Sequence, residues 1–328
     1  MITIADIRDA QTFLQGKIHR TPLFSSHLLG RVTQPQTQLW LKAENLQKTG
    51  SFKPRGVLYK LSKLTPEERK NGLLTVSAGN TAQSLAWAAA LENIPCTVIV
   101  PNAAPRAKTD AATAYGAEVI RHGSSHHESW ALAHQLLAER HLTLVHPYDD
   151  ELVIAGHGTI GLEILEDRPD VQVVLVPVGG GAISTGIALA IKSTRPDVMV
   201  IGVEPELAPK MSRALAAGSP VDIGPSTTVA DGLRAPYVGA INLQLAQQYL
   251  DAVIQVSDDA ITCAVGLLLQ RCKLLVEPSG AVTFAALLEG KAKIPAGAVT
   301  VGVLSGGNVD RSKLVSMLTQ EKPAHHPL

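Results

Sequence analysis

The chain is poor in the residues that would assign it to several large classes of protein. Its 328 residues include only three cysteines, Cys96, Cys263 and Cys272. Their odd number and the lack of a Cys-x-x-Cys spacing argue against a disulfide framework, and point to reduced, buried thiols in a cytoplasmic protein. Aromatic residues make up 4% of the sequence, too few for a surface on which bases stack. Neither sign of charge is in excess, since 29 Lys and Arg balance 29 Asp and Glu. A neutral chain lacks the general attraction for nucleic acid or anionic lipid that a basic chain has. No uninterrupted apolar run reaches the roughly 18 residues of a membrane span. Residues 1–10, MITIADIRDA, carry acids where a secretory signal has a basic run and an apolar core. Nucleic acid and membrane are therefore not expected as partners, and a small molecule is.

Hydrophobic residues, by contrast, make up 45% of the chain and gather in short runs rich in β-branched side chains. The clearest are CTVIV at 96–100, VQVVLVPV at 171–178, VMVIGV at 198–203 and VTVGVL at 299–304. Runs apolar on both faces suit parallel strands covered by helices on both sides. Helical patterns lie between them, such as TAQSLAWAAALE at 81–92 and STGIALAIKS at 184–193. Strand alternating with helix predicts an open α/β sheet. The length suggests about two domains. No repeat, low-complexity tract or long linker separates them, so the second is expected to be inserted within the first.

Several of the strand-like runs end in polar, glycine-rich turns: VSAGNT at 76–81, VGGGAISTG at 178–186 and LSGGN at 304–308. Ligands of open α/β sheets collect at the carboxyl ends of strands, where the next helix presents free N–H groups. Gly179-Gly180-Gly181 reads equally well as a phosphate cradle and as a tight strand-to-helix turn. A dinucleotide site is a further reading, because Glu204 ends the next strand where an acid would bind ribose. Ser184 stands where its third glycine would be, so this oxidoreductase pattern is incomplete.

The stretch LKAENLQKTGSFKPRGVL at 41–58 is more specific. It resembles the cofactor-lysine motif of the serine/threonine dehydratase family of fold-type II pyridoxal phosphate enzymes. Further motifs of that family follow in its order: SAGN at 77–80, HPYDD at 146–150, AGHGT at 155–159, the triple glycine, GVEP at 202–205, ADGL at 230–233, EPSG at 277–280 and SGGN at 305–308. Together they cover residues 20–308, nearly the whole chain. The resemblance implies two open three-layer α/β/α domains: a large cofactor domain of residues 1–71 plus 149–328, and a small mobile domain of residues 72–148 inserted in it. It implies a homodimer, and the length leaves no room for a C-terminal regulatory domain.

The resemblance also assigns roles. Lys53 would hold pyridoxal 5′-phosphate as a Schiff base and, once released, act as the catalytic base on the substrate α-hydrogen. Phe52 would pack on the cofactor ring, Asn80 would bind its hydroxyl, and Ser305 would face its nitrogen. Gly179, Gly180, Gly181 and Ala182 would take the phosphate, Ala182 replacing a usual glycine. The loop Ser77, Ala78, Gly79, Asn80 and Thr81 would bind the substrate carboxylate, Thr81 standing where His is common. Glu277 lies nearby, but a helix-entry role fits it almost as well, and it is given no catalytic title. The implied reaction is β-elimination of water from L-threonine or L-serine, giving 2-oxobutyrate or pyruvate plus ammonia.

Departures from the family pattern refine this reading. Serine racemases of the family carry a serine hydroxyl at the second loop position, opposite the lysine. Ala78 cannot move a proton, which favours dehydration over racemisation. Relatives also bind a divalent cation through a glutamate, a carbonyl and an aspartate. Glu204 and Ala208 match the first two, but Lys210 holds the third position, so its ammonium is expected to replace the metal by pairing with Glu204. No metal is therefore expected. Pro54 directly after the lysine is acceptable in a first helical turn, and His157 stands where Gln is usual. His122, His126, His127 and His134 read as a solvated surface rather than ligands, and His325-His326 as part of a loose terminus. Racemisation, hydroxyaspartate dehydration or β-replacement on the same scaffold, and more remotely an oxidoreductase, are the alternatives.

Overall fold

A computed structural model describes residues 1–104 and 106–319. Its ten strands are β1 Leu23–Ser25, β2 Gln38–Ala43, β3 Leu73–Val76, β4 Cys96–Val100, β5 Glu118–Arg121, β6 Thr143–Leu144, β7 Val173–Pro177, β8 Met199–Pro205, β9 Ala252–Val256 and β10 Val299–Leu304. They form two sheets, one of six strands in the order β1-β2-β10-β7-β8-β9 and one of four in the order β5-β4-β3-β6. Every pairing is parallel except that of the edge strand β1 with β2. The whole four-stranded sheet falls between residues 73 and 144.

The period-two alternation of a strand explains how both faces of the larger sheet become core. Val173, Leu175, Ile201 and Val203 point to one side and pack with Phe284 and Leu287 of the Pro278–Leu288 helix. Val174, Val176, Val200, Val301 and Val303 point to the other, against Ile183, Ile187 and Ile191 of the Ala182–Thr194 helix and Ile160 and Ile164 of the Glu151–Asp167 helix. The smaller sheet repeats the scheme. Leu73, Val98 and Val100 face Leu85 and Ala89 of the Asn80–Leu91 helix, while Leu74, Val76 and Ile99 face Trp130 and Leu136 of the His126–Arg140 helix. Each sheet is thus the middle of three layers. The apolar runs at 96–100 and 299–304 coincide with β4 and β10. Among the described residues, no helix is long and apolar enough to cross a membrane. All three cysteines are free, but only Cys96 is buried; Cys263 and Cys272 are partly exposed, which corrects the expectation that all would be covered.

A network of four charged side chains lies beneath the ends of these layers. The Arg55 guanidinium, fully buried, donates to Glu44 at 2.8 and 2.9 Å and to Glu163 at 2.7 and 2.9 Å. Lys42 Nζ donates to Glu163 at 2.6 Å and to the Thr21 carbonyl at 2.8 Å. Two cations therefore meet two anions, with the Thr159 hydroxyl accepting from Arg55 and the Thr21 hydroxyl donating to Glu44 at the margins. The network joins β2, the segment after it, the Lys53–Ser62 helix and the Glu151–Asp167 helix. Removing one member of a buried, hydrogen-bonded set leaves its partners charged and desolvated. Glu163→Ala is expected to lower the unfolding free energy by about 3–5 kcal/mol in urea denaturation; a loss under about 1 kcal/mol would mean that solvent already screens the set.

Candidate active site

The lysine loop is fixed by backbone hydrogen bonding to the end of β10. Phe52 N donates to the Ser305 carbonyl at 3.0 Å, and Ser51 bridges Gly306. Lys53 then opens its helix, with Pro54 in the first turn, where the missing N–H has no acceptor to find. Lys53 Nζ donates to the Pro147 carbonyl at 2.7 Å and sits 4.9 Å from the centre of the Phe52 ring. Burial disfavours the ammonium and, although the Glu277 carboxylate opposes this, the lysine is brought down to about 8. The Phe52 ring also meets His157 edge to face, with ring centres 4.5 Å apart and planes at 70°. His157 is fully buried with neither ring nitrogen bonded, and burial, with Lys53 and Arg55 nearby, drives it well below its ordinary value. It is a neutral imidazole.

Two helix starts are tied to the surroundings of this lysine, one through Tyr148 beside Pro147 and one through Glu277. Gly181, with φ of 112°, caps the Ala182–Thr194 helix without a side-chain bond, so its first-turn N–H groups are left for another acceptor. Ser184 and Thr185 turn their hydroxyls back to the Gly181 carbonyl, at 2.8 and 3.1 Å. Gly180 lies under the Tyr148 ring, where a Cβ would come 2.1 Å from Cγ. Ala182 is already helical, so its methyl group costs no backbone strain. From the smaller sheet, Asn80 opens a helix that Gly79 caps without a side chain. Asn80 Nδ2 donates to Glu277 at 2.8 Å and its Oδ1 accepts from Asn308 at 2.9 Å. Ser77 Oγ accepts from Gly79 N at 3.2 Å, Ala78 is partly buried and Thr81 buried. Ser305 is 4% exposed, its hydroxyl making one long contact of 3.4 Å to the Ser279 carbonyl. The glycine turn at an uncapped helix start, the aromatic ring of Phe52 beside the lysine and the unbonded polar atoms of Ser51 and His157 fit a phosphorylated aromatic aldehyde held next to an amine.

The sequence pattern of the pyridoxal-phosphate-dependent enzymes matches residues 14–306. The chain belongs to that family. Pyridoxal phosphate is its cofactor. The chain is 43% identical over 310 residues to the L-threonine ammonia-lyase of Thermotoga maritima, covering 94% of this chain and 76% of that one. It is 38% identical over 320 residues to the catabolic L-threonine dehydratase TdcB of Staphylococcus aureus, covering 97% and 92%. Among solved structures it resembles maize serine racemase, with a TM-score of 0.91 and 33% identity over 97% of each chain. It also resembles the threonine deaminase of T.th., with a TM-score of 0.88 and 40% identity over 94% of this chain and 99% of that one.

Family membership replaces the oxidoreductase reading, and the surroundings of Glu204 agree with that. Both its oxygens are occupied by this pyridoxal-phosphate enzyme's own backbone and Ser212, accepting from Met211 N at 3.0 Å and from Ser212 N at 2.9 Å and Oγ at 2.5 Å. The expected pairing of Lys210 with Glu204 is likewise corrected. Lys210 is fully buried, but its ammonium donates to the Ala208 carbonyl at 3.0 Å and makes no ion pair with Glu204. Glu204 is saturated by donors at the start of the Lys210–Ala217 helix, which leaves only longer-range attraction between the two charges. Among the described residues, no group of three His, Cys, Asp or Glu side chains is arranged to hold a metal. His127 and His134 lie on the His126–Arg140 helix, whereas the His126 side chain, His325 and His326 fall outside the described residues.

Three contributors carried no role in the sequence reading. The Pro147 carbonyl receives the lysine, Tyr148 covers Gly180, and Asn308 donates to the Thr49 carbonyl at 2.7 Å as well as to Asn80. HPYDD and SGGN flagged the segments, but nothing in their residue types marks a main-chain acceptor. The Glu204 geometry generates a direct test: Glu204→Ala, which strands Met211 N and Ser212 N at the start of their helix, should lower the melting temperature more than Lys210→Met, and equal losses would mean that the two charges act as a pair.

Proposed function

We propose that the protein is a threonine/serine ammonia-lyase, removing water across the α- and β-carbons of L-threonine or L-serine. The observation that carries this reading is Lys53. Its amine is partly buried beside Phe52 and held to about 8, so a neutral fraction exists near physiological pH to accept a proton. The identity with an L-threonine ammonia-lyase and an L-threonine dehydratase supports the substrate class.

In this reading Gly179, Gly180, Gly181 and Ala182 would hold the cofactor phosphate through the first-turn N–H groups, and Phe52 would pack on the ring. Asn80 would bind the ring hydroxyl and Ser305 would face the ring nitrogen. A hydroxyl does not fully protonate that nitrogen as a carboxylate would, which suits elimination better than long-lived carbanion chemistry. The bound cofactor supplies the electron sink for the α-carbon. The residues Ser77, Ala78, Gly79, Asn80 and Thr81 bind the substrate carboxylate at the start of their helix. Lys53 takes the α-proton and, as the ammonium so formed, gives a proton to the departing β-hydroxyl, which leaves as water; the released enamine then takes up water to give a 2-oxo acid and ammonia.

Residues 72–148 are proposed to move as a unit and close over the substrate, keeping water from the reacting carbon. A cytoplasmic homodimer completes the proposal. Phe24, Leu28, Leu46 and Leu275 are 40–46% exposed. They lie on neighbouring segments, since Ser26 touches Cys272 and Asn45 Nδ2 donates to the Leu275 carbonyl at 3.1 Å. Such a patch supports a covered surface in a dimer.

Lys53→Ala is expected to abolish 2-oxo acid production from L-threonine and L-serine and to leave no lysine-bound cofactor absorbance; normal turnover would sink the proposal. Because Ala78 has no hydroxyl to move a proton, chiral analysis of unreacted serine should find no D-serine above background. D-serine formed at a rate comparable to pyruvate would favour the racemase reading.

A further inference from the structure

Glu277 immediately precedes the Pro278–Leu288 helix, yet its carboxylate makes no cap bond there. It turns into the site instead and is 5% exposed. It lies against Gly306 in the 305–307 turn, where a Cβ would crowd Oε1 and oblige the carboxylate to shift. A carboxylate can only accept, so its 2.8 Å bond to Asn80 Nδ2 fixes which way the Asn80 amide faces. The amide oxygen is thereby left to Asn308, which donates to it at 2.9 Å.

The charges around Lys53 can be followed element by element. Its own helix contributes Arg55, whose guanidinium is committed to Glu44 and Glu163. The Glu151–Asp167 helix contributes His157, which burial keeps neutral. The crossing segment contributes the uncharged Pro147 carbonyl and the Tyr148 phenol, which burial keeps protonated; His146 accepts from Tyr148 N and Asp149 N, Asp149 accepts from Ala240 N and Ile241 N, and Asp150 pairs with Lys60. The entry to the Pro278–Leu288 helix contributes Glu277, whose charge favours the ammonium of Lys53 against burial.

We propose that Glu277 is a positioning residue that orients Asn80 and, through its charge, governs how firmly Lys53 holds a proton. Glu277 takes no proton from substrate. It offsets the positive charge that Lys53 acquires on accepting the α-proton, and so rests on the ammonia-lyase reading for its catalytic consequence alone.

The test reads Lys53 without any turnover. Only an unprotonated amine attacks an aldehyde, so the rate at which cofactor-free protein captures added pyridoxal phosphate should rise with pH as Lys53 loses its proton. The cofactor's own ionisations are common to all variants and cancel in the comparison. Glu277→Gln keeps a hydrogen-bond acceptor for Asn80 but loses the charge, and should move the midpoint down by about half a unit or more. Glu277→Asp keeps the charge and should stay near the wild-type midpoint. If the amide variant does not fold, Glu277→Ser removes the same charge with a smaller group and should show the same downward shift. An unchanged midpoint in a folded charge-free variant, or an equal shift in Glu277→Asp, would overturn the proposal. Activity surviving in Lys53→Ala would remove the lyase reading yet leave this measurement intact.

Discussion

The arrangement rests on a buried guanidinium held between two carboxylates. Arg55 is clamped by Glu44 and Glu163 while Lys42 holds Glu163 from the opposite direction. Because a guanidinium presents its donors in one plane, the clamp fixes orientation as well as separation. Its members come from one strand, the turn after that strand and two helices, so their mutual angles are set before any apolar contact is counted. Lys53 stands two residues before Arg55 and inherits that rigidity. Charges this deep contribute uncertain net stability against an apolar alternative, but a mispaired arrangement would strand a charge. Their effect is therefore to exclude wrong packings of the helix that carries the lysine.

Above this clamp the site is assembled largely from main chain. Helix starts supply N–H groups, the β10 end supplies the carbonyl that holds Phe52, and the crossing segment supplies the carbonyl of Pro147. Few side chains are ionisable there, which agrees with a neutral chain that attracts an anionic cofactor locally rather than through its surface. Burial tunes two of those few: His157 towards neutrality and Lys53 towards a divided population of amine and ammonium.

The covered parallel strands were legible in the sequence because burial on both faces leaves continuous apolar runs, as at 96–100 and 299–304. The sheet margins were not. β5 has exposed ends, β6 has two residues, and β1 owes its existence to antiparallel pairing with β2, none of which requires an apolar pattern. In the site, Lys53, Asn80 and the triple glycine stood out by motif and spacing. Glu277 was ambiguous because an acid before proline is an ordinary helix entry, and only the direction of its side chain separates the two readings. The course of Lys210 was misread because sequence gives the charge of Glu204 but not how many donors already occupy it. Pro147 left no trace at all, since every residue has a carbonyl.

That carbonyl changes what it means for this chain to acquire its cofactor. The nitrogen destined for the aldehyde is already joined to the passage between the two sheets, by a hydrogen bond of 2.7 Å. The same passage is crossed by Asn80, which bonds Glu277 and Asn308, and by the Thr49–Ser84 hydroxyl pair, so the lysine is one of several ties rather than a lone strut. For that nitrogen, loading is an exchange of one partner for another.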